Sequence, residues 1–262
     1  MSKIPVTAVV VSCNEGHMLS RCLNSLSFCE ELIVVDLESE DSTHEIAIQY
    51  NAKYLFHKKV PLVECIHVWI QNKINNEWVI ISDPDEVCSK ALADDIRKIV
   101  KNPPLTIGAV SVPWIFFFGG KMLKGTQWGG IQRRIYLVNL NRFYFTNHVH
   151  RGRHLKEQFD MLPLEYRGEN YLEHYWMQNI FQLLKKHIRY LKLEDKSLYD
   201  SGMRTNLNQI LCMPLTSFKE SFIIKQGYRD SFTGLFLSFF WAWYRTAAYI
   251  KLWQYQKQRL CS

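Results

Sequence analysis

The first hundred residues alternate between short runs of β-branched residues and segments with helical periodicity, and no other feature restricts the fold as much. Three of these runs span residues 7–12, 31–36 and 78–82. They contain consecutive Val and Ile without an apolar–polar alternation, a pattern typical of parallel strands that are covered on both faces. The alternation therefore predicts an α/β fold with an open, mostly parallel, Rossmann-like sheet and helices on both faces.

The sequence Asn102-Pro103-Pro104 ends this alternation, and we expect three parts along the chain: 1–102, 103–175 and 176–262. The elements predicted beyond this point are strands at 109–118, 131–138 and 143–145, a loop at 119–130, a helix at 176–191, a polar irregular segment at 194–217 and a helix at 232–254. We expect the last part to be a helical extension of the α/β domain.

The net charge of +7 is divided unevenly along the chain. Residues 1–102 carry 10 Lys and Arg against 15 Asp and Glu, whereas residues 103–262 carry 22 against 10. Such a division predicts two surfaces with different partners.

The seven cysteines are odd in number and include no C-x-x-C motif, which favours a reducing compartment over a disulfide framework. The apolar run at residues 8–11 is too short for a signal-peptide core or a membrane span. We therefore expect the protein to work on the cytoplasmic side.

Three polar clusters stand directly after predicted strands: Asn14 with Glu15, Asp36, and Asp83 with Asp85. Ligands of open parallel sheets bind beyond the carboxyl ends of the strands, so these clusters should converge on one edge. No G-x-G-x-x-G follows a strand, which argues against a dinucleotide-binding fold, and the absence of G-x-x-x-x-G-K-[ST] excludes a P-loop enzyme. The Asp-x-Asp pair can instead hold Mg²⁺ or Mn²⁺, which bridges phosphate oxygens. The alternative is a polar turn before a helix that Ser89 caps.

Three segments resemble the signatures of family 2 glycosyltransferases: V-V-V-S-C-N-E at 9–15, L-I-V-V-D-L-E-S-E-D-S-T at 32–43 and E-W-V-I-I-S-D-P-D-E-V at 77–87. Their order and spacing are also similar to that family. The resemblance implies the GT-A fold, a divalent metal (Mg²⁺ or Mn²⁺), and transfer of a sugar from a nucleotide-diphosphate donor with inversion. The pattern is most similar to bacterial enzymes of lipopolysaccharide-core and capsule assembly. Residues 1–102 would then be the nucleotide-sugar-binding half of one domain and 103–175 its acceptor-side half.

The resemblance also assigns residues of the donor site, with a UDP-sugar as the first choice of donor. By position, Asp36 binds the base, and Asn14 with Glu15 lies in the loop beneath it. Asp83 contacts the ribose or the metal, and Asp85 is the principal metal ligand. One further position, His67, stands where the family commonly has an arginine that faces the nucleotide; a helix-surface histidine is the alternative.

Two segments of the middle part resemble acceptor-side motifs of the family. Residues 120–130 resemble a loop that folds over donor and acceptor, in which Trp128 stacks on a sugar; a packed hairpin tip is the alternative. Residues 147–151 resemble the motif V-H-[ER], which implies His150 as a ligand of the metal or the diphosphate. The spacing of His148, His150 and His154 also suggests a zinc site, but alternate residues of a strand face opposite sides, which favours His150 alone.

Inversion onto a hydroxyl normally uses a carboxylate base, yet the sequence has no Asp or Glu between Asp95 and Glu157. Two explanations stay open. Either the base is Glu157, Asp160 or His148, or the acceptor is an anion, such as a lipid phosphate, that needs no base. The arginines that suit an anionic acceptor or the leaving diphosphate are Arg133, Arg134 and Arg151.

The last predicted helix is apolar and aromatic at residues 235–244 (L-F-L-S-F-F-W-A-W-Y), and basic residues flank it. This composition is typical of a helix in the headgroup region of an anionic membrane, with a core helix as the alternative. Together with the resemblance, it predicts a glycolipid or lipid-linked acceptor and a peripheral location on the inner face of the cell membrane.

Two other functions stay as alternatives. A nucleotidyltransferase could use the same metal–carboxylate site, although the G-G-x-G-T-R start of sugar-nucleotide pyrophosphorylases is absent. The basic charge is also compatible with nucleic-acid binding, but its residues are spread out without a recognised motif and the acidic edge would repel a phosphate backbone. We therefore expect no nucleic acid among the partners.

Overall fold

A computed structural model of the chain describes residues 2–60, 63–146 and 152–261. Its strands are β1 (Ile4–Ser12), β2 (Cys29–Asp36), β3 (Lys53–Phe56), β4 (Trp78–Ser82), β5 (Glu86–Cys88), β6 (Ile107–Phe118), β7 (Lys121–Met122), β8 (Gln132–Asn139), β9 (Phe143–Phe145), β10 (Arg153–Leu155), β11 (Asp160–Pro163) and β12 (Leu172–Met177). Its α-helices are α1 (Gly16–Ser25), α2 (Thr43–Gln49), α3 (Glu64–Ile70), α4 (Lys90–Lys101), α5 (Ile180–Asp200), α6 (Leu207–Lys219) and α7 (Ser231–Cys261).

Internal contacts divide the chain into two compact units. The sheet unit contains the residues up to 114 together with 132–174, and the helical unit contains 115–131 together with the residues from 175 onward. The segment 115–131, which includes the predicted loop, therefore groups with the C-terminal helices.

The main sheet has the strand order β3-β2-β1-β4-β8-β6-β12-β5. Its first four strands are parallel, whereas β8 runs antiparallel to both β4 and β6. The parallel part coincides with the run of Val and Ile in the first hundred residues. The predicted fold class, an open Rossmann-like sheet of the GT-A type followed by C-terminal helices, is confirmed.

The two faces of this sheet bury separate apolar clusters. In β1, Val6, Ala8 and Val10 lie in the cluster that contains residues of α1 and α4. The alternate residues Val9 and Val11 lie in the second cluster, which contains residues of α3. Because successive side chains of a strand face opposite sides, one continuous apolar run fills both cores. Helices therefore cover both faces, as predicted.

The sequence-based assignment of residues 172–217 is wrong in two places. The strand β12 occupies the start of the predicted helix, and α5 begins only at Ile180, where the Asn179 side chain accepts a hydrogen bond from the Gln182 N–H. The predicted irregular segment contains the end of α5 and most of α6. A reciprocal capping box between Asn206 and Gln209 fixes the start of α6.

The helix α7 is the centre of the helical unit, because both α5 and α6 pack against it. Its buried side chains include Leu237, Phe240, Tyr244 and Leu252. The apolar segment that suggested a membrane-facing helix is thus largely covered by protein. Across residues 2–60, 63–146 and 152–261, no helix combines the length and the apolar character that crossing a bilayer would require.

Candidate active site

The carboxyl ends of three parallel strands bring the predicted donor-site residues to one edge of the sheet. In register, Ser12 of β1 lies beside Asp36 of β2, and Val10 of β1 lies beside Ser82 of β4. The loops that follow these strands therefore share this edge, with β2 and β4 about 10 Å apart, two strand spacings. The structure thus brings together the polar clusters that follow β1, β2 and β4.

The loop after β1 is tied to the loop after β2. The residue Asn14 has a φ of +57°, a left-handed conformation that asparagine tolerates better than most residues. Its N–H donates to Ser39 Oγ at 2.9 Å, and its Oδ1 accepts from the Glu40 N–H at 2.8 Å. The half-buried Glu15 follows at the start of α1. The two loops therefore form one ordered floor.

The carboxylate of Asp36 is buried at the end of β2 and has two donors. The Tyr54 hydroxyl donates to Oδ2 at 2.6 Å, and the Ser39 N–H donates to Oδ1 at 3.0 Å. Burial, together with the bond to Asp36, raises the pKa of Tyr54 to about 12. These contacts fix the Asp36 carboxylate in place; its contact with a nucleotide base stays a prediction.

The Asp-x-Asp turn after β4 is organised from within by Glu86, whose side chain is 0% exposed. Glu86 Oε2 accepts from the Asp83 N–H at 2.9 Å and from Ser82 Oγ at 3.3 Å. The cap of α4 is Ser89, whose side chain accepts from the Leu92 N–H. The two aspartates are therefore not needed as helix caps, which favours the ligand-binding interpretation over that of a polar turn.

The guanidinium of Arg134 joins the two carboxylates of this turn. Its Nη2 lies 2.9 Å from Asp83 Oδ2, and its Nη1 lies 2.9 Å from Glu86 Oε1. Burial opposes ionisation of Asp83, but Arg134 and then His174 outweigh it and hold the pKa of that carboxyl below its usual range. Burial raises the pKa of Glu86, and the attraction of Arg134 only partly offsets this. The turn therefore combines an ionised Asp83 with a more basic Glu86.

The second aspartate of the turn, Asp85, meets a histidine that the sequence analysis missed. His174 Nε2 lies 3.2 Å from Asp85 Oδ2. The strand β12 positions this histidine opposite Glu86 of β5, and the ring of Trp114 stacks on it with a centroid distance of 4.7 Å and an interplanar angle of 12°. The same indole lies 5.1 Å from the Arg134 guanidinium. One tryptophan thus contacts the partners of both aspartates.

The Asp85–His174 pair has the chemistry of a divalent metal site. A carboxylate oxygen and an imidazole nitrogen lie 3.2 Å apart, a separation that two ligands of one ion can have, and the Asp85 side chain remains partly exposed. Among the residues that the structure describes, no group of three or more His, Cys, Asp and Glu could hold a metal. Two protein ligands are sufficient for Mg²⁺ or Mn²⁺ in phosphate-binding sites, where substrate oxygens and waters complete the shell. The residues present therefore fit such an ion.

The predicted donor-site residue His67 is not on a helix surface. It is 3% exposed, and its ring lies 5.4 Å from that of Phe145. Burial and then the neighbouring Arg153 lower the pKa of His67 to about 4, while Asp83 acts in the opposite direction. The histidine thus lies within the electrostatic reach of the Asp-x-Asp turn as a neutral, buried ring.

Two predicted arginine contacts need correction. The guanidinium of Arg134 already binds Asp83 and Glu86, so it orders the turn instead of being free to bind a phosphate. Its neighbour Arg133 faces the opposite side of β8, where it donates to the Leu164 carbonyl at 2.9 Å. The predicted ligands His148, His150 and Arg151 lie outside the described residues. The third member of the suggested zinc set, His154, contacts Thr146 and stacks on Tyr144.

The predicted bases Glu157 and Asp160 lie at the wrong edge of the sheet. Asp160 pairs with Ile107, the first residue of β6, whereas Trp114 of the same strand contacts His174. Seven residues of extended strand separate these points by about 23 Å. Glu157 follows Lys156, whose N–H donates to the carbonyl of Arg142 just after β8, again at the far edge. Neither carboxylate can reach a substrate at the Asp-x-Asp turn.

The predicted sugar-stacking residue Trp128 belongs to an aromatic cluster of the helical unit. Its ring stacks on Trp176 at 4.5 Å and lies edge-on to Trp241 at 5.6 Å. The segment before it is fixed by Asp230, whose two carboxylate oxygens accept the N–H groups of Lys124 and Gly125, each at 2.7 Å. The interpretation as a packed tip therefore fits this tryptophan better than that of a free stacking platform.

Comparisons with known proteins identify several chains that are similar to this one. A protein of Rickettsia felis, described as an uncharacterized glycosyltransferase, is 25% identical to the chain over 253 residues, which cover 94% of the chain and 89% of that protein. One of Rickettsia prowazekii with the same description is 24% identical over 254 residues, covering 94% and 86%. The crystal structure of glucosyl-3-phosphoglycerate synthase from Mycobacterium tuberculosis with Mg²⁺ and UDP is 12% identical, covers 78% of the chain and 81% of that protein, and has a TM-score of 0.43.

The match to a sequence family covers more than half of the chain. The family described as Glycosyl transferase family 2 matches residues 7–158, which include β1, β2 and β4 with the loops that follow them. The enzyme class that the three sequence signatures imply is thereby confirmed. The protein belongs to glycosyl transferase family 2 and is a glycosyltransferase.

Proposed function

We propose that the protein transfers a sugar, with inversion, from a nucleotide-diphosphate donor to a glycolipid or lipid-linked acceptor of the lipopolysaccharide type at the inner face of the cell membrane. The observation that carries the proposal is the Asp85–His174 pair beside the Asp-x-Asp turn. This pair offers mixed oxygen and nitrogen ligands at the sheet edge where the family binds its donor.

The nucleoside and the diphosphate of the donor each have a candidate site at this edge. The floor formed by Asn14, Ser39 and Asp36 receives the nucleoside, with a UDP-sugar as the first candidate. Asp85 and His174 would hold a divalent ion, Mg²⁺ or Mn²⁺, which would supply positive charge beside the diphosphate. Arg134 holds Asp83 in its ionised form without contacting the donor, because both of its terminal nitrogens are engaged in the turn.

The acceptor side of the proposal rests on charge. Glu157 and Asp160 are too remote to remove a proton from an acceptor hydroxyl. Two explanations for the missing carboxylate base therefore remain: His148 is the base, or the acceptor is an anion that needs no base. The helical unit contains 15 Lys and Arg against 5 Asp and Glu, a net charge of +10. This excess supports an anionic, membrane-bound acceptor.

A donor screen followed by one variant tests the proposal. In the presence of Mn²⁺, one nucleotide sugar should raise the melting temperature of the protein by mass action, and the protein should then transfer its sugar to a lipid extract. Asp85→Asn should abolish transfer while leaving the melting temperature of the free protein within about 2 °C.

The matched control is Asp94→Asn, which removes an exposed carboxylate of α4. It should transfer at the wild-type rate. Undiminished sugar transfer by Asp85→Asn would contradict the proposed site. Release of pyrophosphate, in place of a nucleoside diphosphate, would contradict glycosyl transfer and point to nucleotidyl transfer.

A further inference from the structure

The helix α6 exposes an apolar stripe that the fold does not require. Residues 205–218 contain no charged side chain. One face of α6 buries Ile210 and Met213, and the helix packs against α7. The opposite face carries Leu207, Leu211 and Leu215, spaced four residues apart, and the last two are 75% and 78% exposed. An isolated exposed leucine is ordinary, but three on one helix face form a continuous stripe.

Exposed apolar side chains continue beyond the end of α6. A π-helical turn at Glu220–Ile224 exposes Ile223 and Ile224, and Phe232 at the start of α7 is 80% exposed. Aromatic contacts connect these elements, since Phe218 stacks on Phe222 and lies 4.6 Å from Phe239. We call the set Leu207, Leu211, Leu215, Ile223, Ile224 and Phe232 the apolar ridge. Most of this set lies on α6 and the turn after it, and only Phe232 belongs to α7, the helix that the sequence suggested.

Three basic side chains in the same stretch of chain as the apolar ridge form no ion pair with an acidic side chain among the residues that the structure describes. The exposed residues Lys219, Lys225 and Arg229 lie within the same stretch of chain. The two acidic residues of this stretch are already engaged: Glu220 pairs with Arg245 at 3.4 Å, and Asp230 binds backbone N–H groups. The local positive charge therefore remains available to an external anion.

The apolar ridge and the basic residues near it together indicate which kind of partner this surface binds. A short helix with an outward apolar face and flanking lysines is typical of segments that lie in the plane of a membrane interface. A second copy of the chain would bring together two helical units of net charge +10, which disfavours self-association through this surface. An anionic lipid leaflet instead satisfies the apolar side chains and the lysines together.

We propose that α6 and the turn after it insert the apolar ridge into an anionic lipid leaflet, while α7 supports them from beneath. The inference deepens the proposed function, from which it takes its membrane acceptor. Vesicle binding, however, needs neither donor nor metal. Failure of this inference would therefore leave the chemistry intact, and failure of the chemistry would leave vesicle binding intact.

The test is co-sedimentation of the full chain with vesicles of phosphatidylglycerol and phosphatidylcholine at 1:3, compared with pure phosphatidylcholine. Wild-type protein should bind the anionic vesicles only. The double variants Leu211→Gln/Leu215→Gln and Lys219→Glu/Lys225→Glu should each weaken binding by about ten-fold or more, since each basic residue at a surface contributes several-fold. Far-ultraviolet circular dichroism checks that each variant is folded.

Matched controls remove equivalent groups from the sheet unit. Ile48→Gln/Leu105→Gln replaces two exposed apolar side chains, and Lys90→Glu/Lys101→Glu reverses two exposed charges. Both should bind like the wild type. Equal loss of binding by the variants and their controls would overturn the proposal. So would light scattering that shows a wild-type dimer which Leu211→Gln/Leu215→Gln converts to a monomer.

Discussion

In the sheet unit, the charged residues at the strand ends lie among partners, whereas the helical unit presents its charges and many of its large apolar side chains to solvent. Asp83, Asp85 and Glu86 each contact a basic side chain, and the unit as a whole has 17 Lys and Arg against 20 Asp and Glu. The helical unit has a net charge of +10 and exposes the apolar ridge. Fixed, partnered groups suit the binding of one ligand in one geometry, and exposed groups suit adhesion to a broad surface.

The largest effect on stability should come from the buried ion pair of the sheet unit. Arg134→Met removes the buried guanidinium that binds both Asp83 and Glu86, so we expect a loss of about 3–5 kcal/mol in the free energy of unfolding, measured with urea. Adding Glu86→Gln to that variant should restore little of the loss, because Glu86, whose pKa burial already raises beside Arg134, takes up a proton once the guanidinium is gone.

The matched control is the neighbouring Arg133→Met, whose partner Glu165 is largely exposed. It should change the free energy of unfolding by less than about 1 kcal/mol. Equal effects of the two arginine variants would mean that Arg134 does not organise the turn.

A smaller loss in the free energy of unfolding is expected at Asp230 of the helical unit. Its carboxylate binds two backbone N–H groups of the loop before Trp128. Asp230→Asn keeps one acceptor oxygen and should cost about 2 kcal/mol, because a charge-assisted hydrogen bond is lost. The released segment should be cut faster by trypsin at Lys124. Asp200→Asn, at an exposed position, is the control. Trypsin resistance of Asp230→Asn equal to that of the wild type would show that Asp230 does not hold this segment in place.

The pH dependence of stability should reveal His67. Its pKa of about 4 in the folded protein lies below the ordinary value of 6.5, so the unfolded chain takes up the proton first as the pH falls. Stability attributable to neutral His67 is therefore present at pH 7 and is lost between pH 6.5 and 4. From pH 7 to 5 this loss amounts to about 2 kcal/mol.

Between pH 7 and pH 5, the variant His67→Met should lose about 2 kcal/mol less of its free energy of unfolding than the wild type. Urea unfolding at the two pH values measures this difference. The exposed His17→Met serves as the control and should follow the wild type. A slope in His67→Met identical to that of the wild type would show that the buried ring is not responsible.

The sequence predicts the sheet unit far better than the helical unit, for a physical reason. Strands covered on both faces need unbroken Val and Ile, so β1, β2 and β4 are visible as apolar runs, and the polar residues after them mark the ligand edge. The helix α6 has no such signal, because its Asn, Pro, Ser and Thr are weak helix formers. Its capping box and its packing on α7 stabilise it instead.

The candidate site, too, is only partly predictable from the sequence. The motif at 83–85 identifies the two aspartates, but the partners of these residues come from β8 and β12, about 50 and 90 residues further along the chain. The segment L-E-H-Y-W-M alternates as a strand should, with Leu172, His174 and Trp176 buried, yet its end merges with the helical pattern that follows. The burial alternates in the folded strand, but apolar and polar residues do not alternate in its sequence, so neither β12 nor His174 is visible before folding.

Binding of Mn²⁺ tests most directly the central claim that Asp85 and His174 form the metal site. Electron paramagnetic resonance of free Mn²⁺, titrated with protein in the presence of UDP, gives the affinity without any turnover. His174→Phe keeps an aromatic ring against Trp114 but removes Nε2, and it should weaken Mn²⁺ binding at least about 10-fold, as Asp85→Asn should. His17→Phe should bind like the wild type. An unchanged Mn²⁺ affinity in His174→Phe would contradict the account.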